Sequence, residues 1–286
     1  MNEEINLLIK QVLGDNTKVL YPLVGGMMNQ SFVIESNNKK YVLYVSTEQA
    51  NEMVDRQLEK DNQNIVYQLG LTSKNVYFDV DKGIKINEFI EGSSLDKADS
   101  YDVDKVAKLL KTLHASPKLS KEDYHPFERF IGYENEALSF QEMEREYSVL
   151  RKEIFNNKDR LESRKMTLCH NDAQKSNIVK DLNDNYYLID FEFMSNNDPI
   201  YDIATFGNGL VSEGYELLLR YFDNPSKEEK EVYYLWRIFV SLQWHNVAIV
   251  KHYRGEGKTH GFDFLKVAEF FLNNALDAYK GLKELQ

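Results

Sequence analysis

Residues 167–190 constrain the fold of this chain more than any other stretch. They form an island of short apolar strands, and the polar loop between two of these strands carries Asp172 and Asn177. Asp190 directly follows the apolar run Tyr187–Ile189. Two short strands that flank a tight loop bring the three side chains to one point. Because acidic groups are costly to bury together without a metal ion or a cationic partner, the segment predicts a binding site.

Asp172 and Asn177 have the Asp-x-x-x-x-Asn spacing found in catalytic loops that transfer phosphoryl groups. That chemistry needs a carboxylate that orients the attacking hydroxyl and accepts its proton. It also needs hard oxygen ligands that hold magnesium against the phosphates of ATP. Asp190, at the end of an apolar strand, stands where a magnesium-binding aspartate is expected.

The first ninety residues predict a small α+β unit. Apolar residues at helical spacing predict a helix over residues 3–13. Three strand-like runs follow and predict an antiparallel meander: Lys18–Tyr21, Phe32–Ile34 and Tyr41–Val45. An uninterrupted stretch that ends at Gly70 predicts a helix over residues 49–69, and residues 76–86 read as a hairpin.

The Gly- and Ser-containing segment Glu91–Ser94 is the predicted boundary between an N-terminal lobe, residues 1–91, and a C-terminal lobe, residues 92–286. Helical spacing starts near residue 101. Residues 126–160 predict one or two exposed helices, and residues 227–252 and 261–282 predict long ones. The predicted fold is therefore α+β, with a small antiparallel-sheet lobe followed by a larger, mainly helical lobe.

Composition narrows the class of partner. The formal net charge is −11, which disfavours nucleic acid and anionic membrane surfaces and attracts cations. The acidic start lacks the features of a signal peptide, and no stretch approaches the roughly 18 apolar residues of a membrane span. With Cys169 as the single cysteine, no intramolecular disulfide can form. We expect a cytoplasmic protein without membrane insertion, whose oligomeric state the sequence does not specify.

Several motifs together resemble the choline/ethanolamine kinase family, which belongs to the aminoglycoside-phosphotransferase-like kinases. The likeness is greatest to the bacterial choline kinases. The motifs are His170–Asp172 with Asn177, then Ile189–Glu192, then Asn197–Pro199 and Tyr201–Ala204. Upstream, Gly25–Gln30, Arg56–Lys60 and Gly83–Ile90 resemble the nucleotide loop, the glutamate-bearing helix and the strand into the hinge of that family. The resemblance covers nearly the whole chain and implies a two-lobed, protein-kinase-like fold.

The resemblance implies a role for each matching residue. Asp172 is the catalytic base, which also contacts the substrate, and Asn177 and Asp190 hold Mg²⁺. The implied nucleotide-binding residues are Gly25, Gly26, Asn29, Tyr44, Glu59 and the hinge residues Glu88, Phe89 and Ile90. His170 is expected to brace the loop and Asp202 to support it, while Glu192 and Asp198 have either a substrate-facing or a structural role.

The implied substrate is a small cationic alcohol such as choline. A quaternary ammonium has no proton to donate, so aromatic faces and carboxylates must recognise it. Trp244 matches the first position of the Trp-x-x-Trp pair of the family and is the candidate for this role. Trp236, two turns earlier on the same predicted helix, is the weaker candidate, and core packing is the alternative for both.

Two positions depart from the family pattern. Tyr44 stands where the third strand of such kinases carries a Lys or Arg that binds the α/β-phosphates and pairs with the helix glutamate. Lys40 and Arg56 are the candidates for a relocated cation. Val247 stands where the second Trp is expected.

Three functions therefore remain open at the level of sequence. The first is an ATP- and Mg²⁺-dependent choline kinase. The second is a kinase for another small hydroxylated substrate, such as ethanolamine, thiamine or an aminoglycoside. The third is a nucleotide-binding pseudokinase, which the substitution at Tyr44 favours.

Overall fold

The computed structural model of the chain describes residues 3–23, 29–257, 261 and 263–286. Gly25 and Gly26, the predicted nucleotide loop, lie outside the described residues. The elements up to the predicted boundary are α1 (Glu3–Leu13), β1 (Lys18–Leu23), β2 (Asn29–Ser36), β3 (Lys39–Ser46), α2 (Glu48–Met53), α3 (Arg56–Gln68), β4 (Asn75–Asp79), β5 (Ile84–Glu88) and β6 (Gly92–Ser94). The later elements are α4 (Val103–His114), α5 (Pro126–Leu138), α6 (Arg145–Asn156), α7 (Lys158–Glu162), β7 (Thr167–Cys169), β8 (Ile178–Asp181), β9 (Tyr186–Leu188), β10 (Ser195–Asn197), α8 (Pro199–Phe206), α9 (Val211–Tyr221), α10 (Lys227–Tyr253) and α11 (Phe264–Leu285).

The chain forms two compact units. The first comprises residues 1–100 and 176–194, and the second comprises residues 101–175 and 195–286. The predicted division at residue 91 cuts the chain once, whereas these units are discontinuous. The reason is that β6, just after the predicted boundary, pairs with β8, which in turn pairs with β9. This small sheet keeps residues 176–194 with the first unit.

The first unit is built on a five-stranded antiparallel sheet with strand order β1-β2-β3-β5-β4. Apolar residues of α1 and of the sheet form its core, which includes Ile9, Ile34, Leu43, Ile84 and Ile86. The predicted meander and hairpin are confirmed. Strands β3 and β5 are adjacent, and their register sets Tyr44 directly opposite Lys85.

The predicted helix over residues 49–69 is divided into two. Helix α2 ends at Met53, and Val54 is extended. Asp55 then caps α3, since its side chain accepts a hydrogen bond from the N–H of Leu58. An aspartate is a favourable N-cap because its carboxylate satisfies an N–H group that the helix leaves unpaired. The new helix starts with Arg56, which places Arg56 and Glu59 on one face.

The second unit is mainly helical, as predicted, and also contains the two-stranded sheet of β7 and β10. Its central element is α10, which starts in a capping box formed by Ser226 and Glu229. Two residues of α10, Trp236 and Phe239, form an aromatic cluster with Phe127 and Tyr201. Among the described helices, none has the length and apolarity that crossing a membrane requires.

Trp236 is 1% exposed, and its indole N–H donates to Asp198 Oδ2 at 2.8 Å. We expect Trp236→Phe to lower the free energy of unfolding by about 2–3 kcal/mol, because it removes a hydrogen bond to a buried carboxylate. Urea denaturation followed by circular dichroism measures the change. Trp244→Phe is the matched control, since Trp244 is only half-buried, and we expect a change below about 1 kcal/mol there. Equal losses in the two variants would contradict the assignment of Trp236 to the core.

Candidate active site

In the second unit, Asp202 holds the turn that leads into the predicted catalytic loop. Its Oδ2 accepts the backbone N–H of His170 at 2.8 Å, and its Oδ1 accepts the N–H of Asn171 at 2.7 Å. His114 Nε2 lies 3.0 Å from Asp202 Oδ2. Asp202 is fully buried, so these contacts replace its hydration. The expected supporting role of Asp202 is confirmed, and the backbone N–H of His170 takes part in the same bracing.

Asn171 adopts the left-handed conformation, with φ of 63°. This conformation is strained for most residues other than glycine, and asparagine is among those that tolerate it best. Its side chain is fixed by Asn197 Nδ2, which donates to Asn171 Oδ1 at 2.8 Å, and by the carbonyl of Ser195, which accepts at 3.3 Å. Strained backbone that the surroundings hold in place is a frequent feature of functional sites.

Asp172 follows this turn and is half-buried. Gln174 Nε2 donates to Asp172 Oδ2 at 3.1 Å. Two buried tyrosines, Tyr124 and Tyr201, lie within its electrostatic reach: burial raises the pKa of both hydroxyls, and the charge of Asp172 raises it further. Tyr124 also hydrogen-bonds with Tyr201 and Gln243. Sequence analysis did not identify Tyr124 or Gln243. Tyr201 lies in one of the motifs that carry the family resemblance.

His114, Cys169 and Asp202 place one ligand atom each within 4.8 Å of one another. Sequence analysis did not place His114 in such a group. The Asp202 carboxylate already accepts the hydrogen bonds described above, and burial raises the pKa of the Cys169 thiol well above its ordinary value. Within this group, Asp202 and His114 take part in the hydrogen bonds that support the loop.

In the first unit, the segment after the 3₁₀ turn Lys175–Asn177 brings Asn177 next to Ile189, the residue before Asp190. The carbonyl of Asn177 accepts the N–H of Ile189 at 3.0 Å, and Ile178 pairs with Leu188 across β8 and β9. Asp190 is a second non-glycine residue in the left-handed conformation, with φ of 67°. Its Oδ1 is buried and accepts no hydrogen bond from any described residue.

That buried oxygen fits a hard divalent cation such as Mg²⁺, because carboxylate and amide oxygens are its preferred protein ligands. The surrounding charges fit as well, since Glu192 lies within the electrostatic reach of two further carboxyl groups, Glu59 and Asp190, and of the cations Lys85 and Arg56. Burial and the neighbouring charge of Asp190 raise the pKa of Glu192. Glu192 Oε2 lies 3.7 Å from Arg56 Nη1 and accepts from Asn29 Nδ2 at 3.4 Å.

Tyr44 brings no positive charge, because a phenol is neutral when protonated. Burial of its hydroxyl raises its pKa to about 12, against the opposing effect of the Lys85 ammonium. A buried cation, Lys85, lies opposite Tyr44 on the neighbouring strand. Lys85 is 3% exposed, forms an ion pair with Glu59 Oε1, and sets its Nζ 4.6 Å from the centre of the Tyr44 ring. Burial disfavours the ammonium, but Glu59 and Asp190 outweigh burial and raise the pKa of Lys85.

Arg56 and Lys40, which sequence analysis considered as candidates for a relocated cation, each have their own contacts. Arg56 Nη1 donates to Glu59 Oε2 at 2.6 Å, so Glu59 pairs with two cations, which lower its pKa despite burial. Lys40 pairs with Glu91 at 2.9 Å, and both side chains are largely exposed. Sequence analysis missed Lys85, although it lies within the hinge-strand motif.

The predicted hinge follows β5. The N–H of Glu88 donates to the carbonyl of Lys74 at 2.9 Å, and the N–H of Phe89 donates to the carbonyl of Lys40 at 3.1 Å. Asn29, next to the predicted nucleotide loop, is oriented by Ser46, whose hydroxyl donates to Asn29 Oδ1 at 2.8 Å.

The residues proposed for the cationic substrate have different surroundings. Trp244 is half-buried, and its ring stacks on Phe271 with 5.9 Å between ring centres. Asp198 caps α8 and also pairs with Arg164 at 2.5 Å and with Trp236, so its contacts are structural.

The order of strands and helices is that of a protein-kinase-like fold. A family model described as "Choline/ethanolamine kinase" matches residues 20–230. Since this match covers more than half of the chain, the protein belongs to the choline/ethanolamine kinase family. It is thus a choline kinase-like small-molecule kinase, a phosphotransferase with an alcohol as acceptor.

Individual relatives agree with this assignment. The chain is 26% identical over 218 residues to Protein LicA of Haemophilus influenzae, a match that covers 72% of the chain and 63% of that relative. The crystal structure of choline kinase LicA from Streptococcus pneumoniae has a TM-score of 0.74 at 28% identity, covering 99% of this chain and 100% of that one. A structure of LicA in complex with AMP has a TM-score of 0.73 at 27% identity, covering 100% and 99%.

The position of Asp202 predicts a large effect on stability. Asp202→Ala leaves two buried N–H groups and His114 without their acceptor, so we expect a loss of about 3–5 kcal/mol in the free energy of unfolding. Asp223→Ala is the matched control because the Asp223 side chain is fully exposed; we expect a change within about 0.5 kcal/mol there. Urea denaturation of both variants measures the difference. A loss below 1 kcal/mol for Asp202→Ala would argue against its supporting role.

Proposed function

We propose that the protein transfers the γ-phosphoryl group of ATP to the hydroxyl of choline, with Mg²⁺ bound by Asn177 and Asp190. The observation that carries the proposal is the presence of Asp172, Asn177 and Asp190 in a member of this family, together with a buried Lys85–Glu59 pair. The similarity to choline kinase LicA along nearly the whole chain supports choline as the acceptor.

In the proposed reaction, Asp172 accepts the proton of the choline hydroxyl. The hydroxyl oxygen forms a bond to the γ-phosphorus while the bond from that phosphorus to the bridging oxygen of ADP breaks. ADP leaves with the electron pair of the broken bond. Mg²⁺, when bound, neutralises charge on the phosphates. The hydrogen bond from Gln174 orients the Asp172 carboxylate, and the anchored turn at Asn171 fixes its position.

For adenine, the hinge geometry supports a specific contact. Because the N–H groups of Glu88 and Phe89 are donated within the first unit, the N–H of Ile90 is the donor that remains, with no acceptor among the described residues. We propose that Ile90 donates to the adenine ring, while Gly25, Gly26 and Asn29 approach the phosphates.

For the quaternary ammonium of choline, Trp244 is the proposed aromatic face, and Asp172 and Glu192 are the proposed carboxylates. Phe271 covers one side of the indole, which orients the ring. An aromatic face attracts a quaternary cation without requiring a proton from it. Val247 stands where the family pattern has its second Trp, so the aromatic surface for a quaternary ammonium is smaller. Ethanolamine is therefore tested as the competing acceptor.

The test is a coupled ADP-release assay with ATP and Mg²⁺ against choline, ethanolamine, thiamine and an aminoglycoside. We expect choline-dependent ADP release, and a fall of about 10²- to 10⁴-fold in kcat for Asp172→Asn, because the amide cannot accept the proton. Asp223→Asn is the matched control and should retain wild-type activity. Release with another acceptor alone would replace the substrate, and ATP binding without release for any acceptor would indicate a nucleotide-binding protein.

The proposed role of Trp244 predicts a binding defect. Trp244→Leu should raise KM for choline by about 3- to 30-fold with little change in kcat, since a cation–π contact contributes about 0.5–2 kcal/mol. Phe270→Leu is the control: Phe270 is 45% exposed and lies next to Phe271 on α11. An unchanged KM for Trp244→Leu, measured on folded protein, would exclude Trp244 from the choline site.

A further inference from the structure

We infer that Lys85, on β5, is the cation that binds the α/β-phosphates of the nucleotide, in place of the third-strand lysine that Tyr44 replaces. The inference rests on the proposed function in one respect, that the nucleotide binds to the first unit. It assigns a binding role to a residue that sequence analysis did not single out.

The register of the sheet makes the exchange possible. Tyr44 and Lys85 are directly opposite each other on adjacent antiparallel strands. In such a pair the two side chains project from the same face, with Cβ atoms about 4.5–5.5 Å apart. A lysine at either position therefore delivers its ammonium to nearly the same place. The Nζ of Lys85 lies over the Tyr44 ring, at 4.6 Å from its centre.

The partners of Lys85 are those that a phosphate-binding lysine has in kinases. Such a lysine pairs with a glutamate on the neighbouring helix and lies near the magnesium-binding aspartate. Lys85 pairs with Glu59 on α3, and the charge of Asp190 acts on its ammonium. Neither alternative cation has both of these partners among the described residues. Lys40 pairs with Glu91. Arg56 donates hydrogen bonds to Glu59 and Asn51 and lies near Glu192.

The double pairing of Glu59 fits a lysine that has a further ligand. Glu59 is 1% exposed, and Arg56 alone already supplies one compensating charge. Lys85 adds a second cation whose ammonium has three donor hydrogens, of which Glu59 uses one. A phosphate oxygen is an acceptor that suits the others.

The experiment measures nucleotide binding by calorimetry, with ATP, ADP and adenosine as separate ligands, in the presence of Mg²⁺. For Lys85→Met we expect ATP and ADP to bind about 10- to 100-fold more weakly, because a hydrogen bond to a charged group is lost, while adenosine affinity stays within twofold. Arg56 remains paired with Glu59 in this variant. Lys82→Met is the matched control, since Lys82 is an exposed lysine at the β4–β5 turn whose partner is Glu4.

A charge-exchange variant separates phosphate binding from a merely structural role. Tyr44→Lys combined with Lys85→Tyr returns the ammonium to β3 and keeps the net charge, so we expect ATP affinity to recover to within about fivefold of wild type. Unchanged ATP affinity in Lys85→Met overturns the inference. So does an equal loss for ATP and adenosine, or a folded exchange variant without recovery.

The outcomes also distinguish this inference from the proposed function. Binding is measured without an acceptor, so the result does not depend on choline being the substrate. Wild-type protein that binds ATP but does not phosphorylate choline overturns the proposed substrate alone. Wild-type protein that binds no ATP overturns both.

Discussion

The polar interior of the first unit depends on the buried carboxylate of Glu59. A carboxylate that is 1% exposed requires compensating charge, and Lys85 and Arg56 supply it from β5 and from the start of α3. The pair between Lys85 and Glu59 joins α3 to the sheet at the level of Tyr44, whereas the pair between Arg56 and Glu59 lies within α3. They also hold Arg56 where it lies near Glu192, two residues after Asp190. One helix residue thereby organises the groups that surround the candidate metal ligand.

The second unit solves a similar problem with a different buried carboxylate. Asp202 accepts two backbone N–H groups and contacts His114, so it fixes the turn before Asp172 through the backbone. Each unit thus contains one buried acid with several partners. Each also contains a left-handed residue at a predicted site position, Asn171 or Asp190, and hydrogen bonds hold the conformation of Asn171.

The sequence predicted most of the fold because strands and helices leave periodic apolar patterns, and it located Asp172, Asn177 and Asp190 because their spacing is local. Two of the features that it missed show why. The break between α2 and α3 depends on an aspartate cap inside a stretch without Gly or Pro. Lys85 alternates with apolar residues and so resembles a solvent-facing position, but α3 presents a matching polar face, where Gln63 donates to Asn87 at 3.1 Å and Glu59 pairs with Lys85. Lys85 is buried because α3 packs against β5. The pattern of a single stretch does not show which elements pack together, so it does not predict this burial.

The opposition of Tyr44 and Lys85 bears on how kinase-like sequences diverge. A charge shared by two cross-strand positions can migrate during evolution through an intermediate with lysine at both, and each step leaves the backbone unchanged. Alignment columns record such a migration as the loss of an invariant residue, although the ammonium has moved by only one strand. Chains classified as inactive because one column lacks its lysine therefore deserve inspection of the neighbouring strand in three dimensions.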